Sequence, residues 1–223
     1  MTKQSKTEEV INNARKVSGV EAINIPPPQI DTIQTRIIGT APYMQARFSE
    51  KARNMMREKH EAGSVARKGK IREARSFEDD YKQAFHRSSK GWAGIPAAAF
   101  RSACISACRL VGFKMTVAKL SVFIEADGLD ALDGTPLVRI YGEPEMTVLP
   151  TRNATGVVDL RVRPMWREWY CDLRVRYDQA QFTKADIGNL ILRAGSQVGV
   201  GEGRPDSKSS AGLGYGLFTT AKS

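Results

Sequence analysis

Long apolar runs are what this chain most clearly lacks. Nowhere in its 223 residues does one reach the ~18 residues needed to cross a bilayer as a helix. The opening Met1-Thr2-Lys3-Gln4-Ser5-Lys6 has no apolar segment behind it, so it does not read as a secretory signal peptide. The expectation is a cytoplasmic protein with no membrane partner. Cysteine is scarce: Cys104, Cys108 and Cys171 make an odd count, which with a cytoplasmic setting argues against a disulfide framework. Cys104 and Cys108 lie four apart in an apolar stretch and read as small core residues. Histidine is scarcer still, with only His60 and His86. No zinc-ligand spacing results, and no metal or cofactor is expected. Asp127, Asp130 and Asp133 repeat every third residue around glycines without the ligand spacing of a calcium loop, and read as turns. No internal repeat of solenoid length is visible.

Negative charge is also in short supply. Thirty-four Lys and Arg stand against twenty-four Asp and Glu, a formal net charge of +10. Such an excess favours a polyanionic partner, nucleic acid before an anionic membrane surface. The plain alternative is a basic protein with no such partner. Hydrophobic content of 41% is that of an ordinary globular chain.

Residues 1–29 read as a polar leader ending in Ile25-Pro26-Pro27-Pro28, where three prolines enforce a stiff, extended connector. Residues 30–223 read as one domain. Its first strand lies within 31–48, marked by Ile33, Ile37 and Ile38 and broken from Gly39 to Pro42. Residues 49–92 carry twelve bases against seven acids, half of the chain's excess. Large apolar residues are sparse there, so the segment reads as a long, mobile basic insertion that orders on nucleic acid. Within it, Arg67, Lys68, Lys70 and Arg72 are the candidate clamp; a solvated charge run is the alternative. Phe85 and Trp92 are available to stack on bases or to anchor the segment to the core.

Residues 95–112 read as a buried helix opened by Pro96 and closed by Gly112. Phe100, Ala103, Cys104, Ala107, Cys108 and Val111 share its apolar stripe, and Arg101 sits near its first turn. Residues 117–126 and 136–149 read as strands. Val158, Leu160 and Val162 alternate with Asp159, Arg161 and Arg163. Trp169, Cys171, Leu173, Val175 and Tyr177 alternate with Tyr170, Asp172, Arg174 and Arg176. If those two strands pair, Arg161, Arg163, Arg174 and Arg176 share the sheet face turned away from the helices, as RNA-binding sheets present it. A solvated face or a subunit contact is the alternative. Residues 183–198 form the clearest helix, with a capping-box pair in Thr183 and Asp186 and a stripe of Ile187, Leu190, Ile191, Ala194 and Val198.

The order strand, helix, strands, helix, strand predicts an α+β fold: a ferredoxin-like (RRM-like) antiparallel sheet with helices on one face. The ending is distinctive. Gly199, Gly201 and Gly203 follow the last helix, then come Arg204 and Lys208, then Gly212 and Gly214 before Leu217-Phe218. Glycines let backbone approach a bulky partner, and neighbouring bases suit phosphates; a flexible connection that merely needs glycine is the other reading. No Gly-Lys-Ser/Thr follows, so this is not a P-loop. The loop follows a helix instead of opening one, so it is not a dinucleotide fingerprint.

This ending resembles the glycine-rich C-terminal signature of the RAMP superfamily, the RNA-binding proteins of CRISPR systems. Ile95-Pro96-Ala97-Ala98-Ala99-Phe100-Arg101-Ser102-Ala103 is similar to the helix start common in that superfamily. The basic segment after the first strand sits where crRNA-coating backbone subunits carry insertions. The resemblance implies single-stranded RNA held along its backbone by a protein that assembles into an oligomer or helical filament, with other CRISPR effector subunits as partners. Some members of the superfamily cut RNA, but with no paired base in sight of His60 or His86 this chain is expected to be non-catalytic. The rival expectations are a phage or mobile-element single-stranded DNA-binding protein, an RNA-processing endonuclease using His60 or His86, and an assembly protein that binds only proteins.

Overall fold

The computed structural model describes residues 25–48, 54, 56–58, 76–152, 158–207 and 212–221. The leader before residue 25, Arg67, Lys68, Lys70, Arg72, Lys208 and His60 lie outside them.

The central sheet is antiparallel throughout. Strand β1 (Ile30–Gly39) lies between β9 (Tyr170–Asp178) and the short β10 (Phe218–Thr220), and β4 (Val122–Ile124) flanks β9, giving the order β10-β1-β9-β4. The pairing of β1 with β9 runs unbroken from Ile30 opposite Asp178 to Ile38 opposite Tyr170. Strict period-two alternation follows from the pleat. Ile37, Cys171, Leu173, Val175 and Tyr177 are buried on one face, while Arg36, Asp172, Arg174 and Arg176 lie on the other.

Two helices cover the buried face. Helix α2 (Ala97–Cys108) has Pro96 as its N-cap residue and runs through a 3₁₀ turn (Arg109–Val111) to Gly112. Phe100, Ala103, Cys104, Ala107 and Cys108 point into the core. Full burial of side chains such as Phe100 and Leu173 is worth roughly 1.5–3 kcal/mol each. Val111, expected on the same stripe, is 55% exposed, because the tighter 3₁₀ turn advances it out of the α-helical phase. Helix α4 (Lys184–Arg193) opens on the full capping box of Thr183 and Asp186 and buries Ile187, Leu190 and Ile191. A π-helical turn (Ala194–Val198) extends it, burying Ala194 and Val198. All three cysteines are free and buried, as core residues should be.

Two smaller sheets flank this body. One has the order β2-β8-β7, from β2 (Tyr43–Met44), β7 (Pro144–Arg152) and β8 (Val158–Trp166). The other has the order β3-β6-β5, from β3 (Gly94–Pro96), β5 (Gly128–Leu129) and β6 (Pro136–Arg139).

Four expectations are corrected here. The span 117–126 is mostly helix α3 (Met115–Ser121) before the brief β4. The span 136–149 is two strands, β6 and β7, split around Gly142. Residues 76–92 are not part of a mobile protrusion. Helix α1 (Phe77–Gln83), capped by the Ser76 hydroxyl, leads into Phe85, which is 3% exposed and packs edge-on to Trp166 with ring centroids 5.6 Å apart. Finally, β8 and β9 do not pair; they belong to different sheets.

Gly39 ends β1 under the Trp169 indole, whose N–H donates to the Ala41 carbonyl at 2.9 Å. A Cβ at position 39 would lie 2.2 Å from that ring nitrogen. Gly39→Ala should therefore lower unfolding free energy by about 1–3 kcal/mol through overpacking. Urea titration should show a lower midpoint at unchanged slope.

Candidate nucleic-acid interface

The uncovered face of the central sheet carries planar groups in layers. Tyr141, just past β6, bridges to Tyr170 through two backbone hydrogen bonds of 3.0 and 3.2 Å. Their rings stack with centroids 4.6 Å apart and 5° between planes. The Arg36 guanidinium lies 4.8 Å from the Tyr170 centroid, and that of Arg139 lies 4.8 Å from the Tyr141 centroid. A second group lies alongside: Phe123 of β4, with Arg176 at 5.3 Å and Arg101 at 5.0 Å. Cation–π contacts of this kind are worth about 0.5–1 kcal/mol at exposed sites.

The charge on this face is partly matched. Arg36 makes a forked pair with Asp172 at 2.7 and 3.0 Å. Arg174 meets Asp127 at 2.9 Å and Glu125 at 3.3 Å, and donates to the Ala126 carbonyl. Arg101 is spent on backbone, donating to the Val122 carbonyl at 3.0 Å and to that of Lys119, which ties α2 to the end of α3. Among the described residues, Arg139 and Arg176 have no carboxylate within ion-pair distance. They are the uncommitted cations of the face.

The remaining arginines of the sequence analysis gather elsewhere. On β8, Arg163 binds Glu202 of the glycine-rich loop at 2.5 Å, and Arg161 lies 3.9 Å from the same carboxylate. The four guanidiniums expected on one face are thus divided two and two, because β8 and β9 lie in separate sheets.

The loop itself is built on its own backbone. Gly199, Gly201, Gly203, Gly212 and Gly214 all have positive φ, as does Gly216. Val200 donates to Gly216, Leu213 and Tyr215 to Gly203, and Glu202 to Met44. At Gly216 a Cβ would fall 1.7 Å from the Val200 carbonyl oxygen, so this glycine serves the loop's closure. Arg204 turns inward and donates to the Gly201 carbonyl at 3.0 Å. Asp206 fastens the loop to α2 through Ser106 and through Arg109 at 2.7 Å.

One polar cluster has no counterpart in the sequence analysis. The His86 Nδ1 lies 2.8 Å from Asp130. Asp130 also accepts from the Leu132 amide at 2.9 Å and faces the Arg47 guanidinium at 3.4 Å. Arg47 reaches Asp133 at 3.4 Å as well. The Arg47 and Asp130 side chains are 2% and 1% exposed. Gln45 accepts from the His86 amide and donates to the Gly94 carbonyl. Forty-four residues separate His86 from Asp130, so no local pattern could have announced the pair. Arg36, Tyr141 and Phe123 were also missed. Period-two counting along β1 would have placed Arg36 outward; the other two depend on how separate sheets meet.

No protein-family model matches this chain, and no curated protein is significantly similar to it. Among the described residues, no helix is long and apolar enough to cross a membrane.

Two measurements test this account. Hydrogen bonds hold four carboxyls below their ordinary range: Asp31 through the Thr32 amide, Asp172 through Arg36, Asp186 through the Thr183 hydroxyl and Asp206 through Ser106. Each is protonated more readily in the unfolded chain, so its contribution is present above about pH 4 and is lost as pH falls through the depressed folded value. Urea midpoints should be flat from neutral pH to about pH 5 and decline below about pH 4, with a shallower decline in Asp172→Asn. Separately, Arg47→Met removes the cation facing the buried Asp130 carboxylate, leaving it only His86 and the Leu132 amide, and should lower stability by about 3–5 kcal/mol. Adding Asp130→Asn should recover part of that loss in a double-mutant cycle.

Proposed function

We propose that this chain is a single-stranded RNA-binding protein of RAMP type, built on a ferredoxin-like core, cytoplasmic, and acting without catalysis. The strand order β10-β1-β9-β4 supports the fold reading. Helix α2 lies between β1 and β4 in the chain, and α4 between β9 and β10, which is the order of a βαββαβ core with strands arranged fourth, first, third, second. The glycine-rich loop lies between α4 and β10, a position that supports the resemblance. The ligand is crRNA-like, the protein assembles along it, and other CRISPR effector subunits are the partners.

The observation that carries the proposal is the uncovered sheet face. One side of the central sheet is packed under α2 and α4. The other offers the Arg139–Tyr141–Tyr170–Arg36 layers and Phe123 beside Arg176. Single-stranded RNA is recognised by splayed bases stacking on aromatic rings or on guanidinium planes. In these layers the outermost planar groups are guanidiniums, and Arg139 and Arg176 are not neutralised by a carboxylate. A base stacks on a guanidinium plane while a phosphate takes its edge.

Fluorescence anisotropy with a labelled 20-nucleotide RNA tests this. Affinity should fall steeply between low and physiological salt through release of counterions. Arg139→Ala with Arg176→Ala should weaken binding by roughly tenfold and flatten the salt slope by about two, while Arg161→Ala should do less. A salt-independent curve, or no binding by the nuclease-stripped protein, would refute the proposal. Equal affinity for DNA of the same sequence would redirect it to a single-stranded DNA-binding protein.

A further inference from the structure

We infer that two copies of this chain join by exchanging their proline segments, each placing Ile25–Pro28 in a cleft on the other. The cleft has a volume of about 320 Å³ and lies between the end of α2 and α4. Its apolar walls are Val111, Phe113, Phe182 and Leu190. The two phenylalanine rings stand 5.0 Å apart at 48°, forming a V-shaped aromatic slot. Gln181, Asn189 and Arg193 line it as well, and all three carry hydrogen-bond donors; the Asp186 carboxylate at its edge already accepts from the Thr183 amide and hydroxyl. The apolar surface is uncovered: Val111 is 55% exposed, Leu110 beside it 54%, and Phe113 36%.

The occupant is read from the same chain. Proline-rich extended segments dock in aromatic-lined grooves because their conformation is already fixed and little entropy is lost. Consecutive prolines have no N–H and present carbonyls alone, which the side-chain donors of Gln181, Asn189 and Arg193 can meet. Ile25-Pro26-Pro27-Pro28 has that chemistry and is exposed throughout, Ile25 at 80%. None of its residues lines its own chain's cleft.

Geometry favours exchange over self-docking. The Gln179 amide donates to the Gln29 carbonyl at 2.7 Å, and Ile30 pairs with Asp178. The proline segment therefore leaves from the end of β9 that leads into Gln181 and Phe182. Three fixed φ angles hold it straight, so it extends away from the body instead of folding back over Phe182. Donor segment and acceptor cleft share one end of the molecule, so a two-fold axis through that end satisfies both at once, as isologous dimers require. This pairing needs no nucleic acid and is independent of the RNA-binding reading.

The test uses the full chain, stripped of nucleic acid by nuclease and high salt. Sedimentation analysis at up to ~100 µM should show a concentration-dependent dimer. Two variants should be monomeric with unchanged melting temperature. One is Val111→Glu, which charges an exposed wall of the cleft. The other replaces the segment: Ile25→Gly, Pro26→Ser, Pro27→Gly and Pro28→Ser. Mixing them should regenerate a weaker heterodimer, because one intact segment then meets one intact cleft. A labelled peptide of residues 22–31 should bind the segment variant and lose at least tenfold affinity for Val111→Glu. Three outcomes would overturn the inference: a monomeric wild type that leaves the peptide unbound, dimers that persist in both variants, or a mixture that fails to associate. If RNA binding fails while the dimer and its complementation hold, the functional reading falls and the exchange stands.

Discussion

The long pairing of β1 with β9 is the constraint on which the rest of the molecule depends. Its register runs from Ile30 opposite Asp178 to Ile38 opposite Tyr170. Because side chains alternate with a period of two, a slip by one residue would turn every core residue outward. The register as found seats Ile37 and Leu173 under the helices. It also sets Arg36 directly opposite Asp172, within reach of a forked pair. The same choice thus fixes the core and the layout of charge on the uncovered face. It brings Tyr170 to the end of β9, where Tyr141 can bridge to it and extend the stack.

A continuous run of aromatic rings joins this sheet to its neighbour. Phe100 meets Phe218, which meets Trp169; Trp169 meets Tyr43, and Tyr43 meets Trp166; Trp166 meets Phe85, and Phe85 meets Tyr81. Each step spans 4.9–6.2 Å between ring centroids. Tilted and edge-on pairs at such spacing add about 0.5–1.5 kcal/mol each beyond their buried area. The short link between Trp166 and Trp169 carries the chain from one sheet to the other. Both tryptophans pack on Tyr43 at that crossing, where β8 and β9, close in sequence, part into different sheets. The glycine-rich loop is held to the same seam. Glu202 bonds the Met44 carbonyl through its amide and Arg163 through its carboxylate.

What the sequence made legible was local. Helix α4 declared itself through the Thr183–Asp186 capping box and a clean apolar stripe. Helix α2 did so through Pro96 and its small residues, and β1 and β9 through their alternation. The failures share one cause. Met115–Ser121 is a short apolar stretch, and periodicity cannot separate helix from strand over so few residues. Phe85 and Trp92 looked isolated in a polar segment, yet Phe85 fills a gap beside Trp166 that exists only in three dimensions. Arg161 and Arg163 would share a face with Arg174 and Arg176 only if their two strands paired, and alternation within each strand cannot tell which strands pair. His86, Asp130 and Arg47 come from three segments, and no window of sequence holds them together. The loop glycines were visible as a pattern, but the pattern did not show that Gly216 answers to the Val200 carbonyl.

Electrostatics completes the argument about the uncovered face. Net charge alone suggested a broad basic surface, and the geometry narrows it. Arg36 and Arg174 are bound to carboxylates, and Arg101 to carbonyl oxygens. Arg161 and Arg163 share Glu202, and Arg204 closes its own loop. A guanidinium already paired with a carboxylate gains little from a phosphate, since one partner only replaces another. On the proposed reading, binding strength at this face would depend on the few cations without a partner carboxylate among the described residues, Arg139 and Arg176 among them. Both sit over an aromatic ring, Arg139 on Tyr141 and Arg176 on Phe123, which positions the charge. At physiological salt, charges on this surface act over about 8 Å. Under the proposed RNA-binding function, the uncommitted guanidiniums would act as local contacts on a strand already in place, and the chain's overall excess of +10 would act at longer range on its approach.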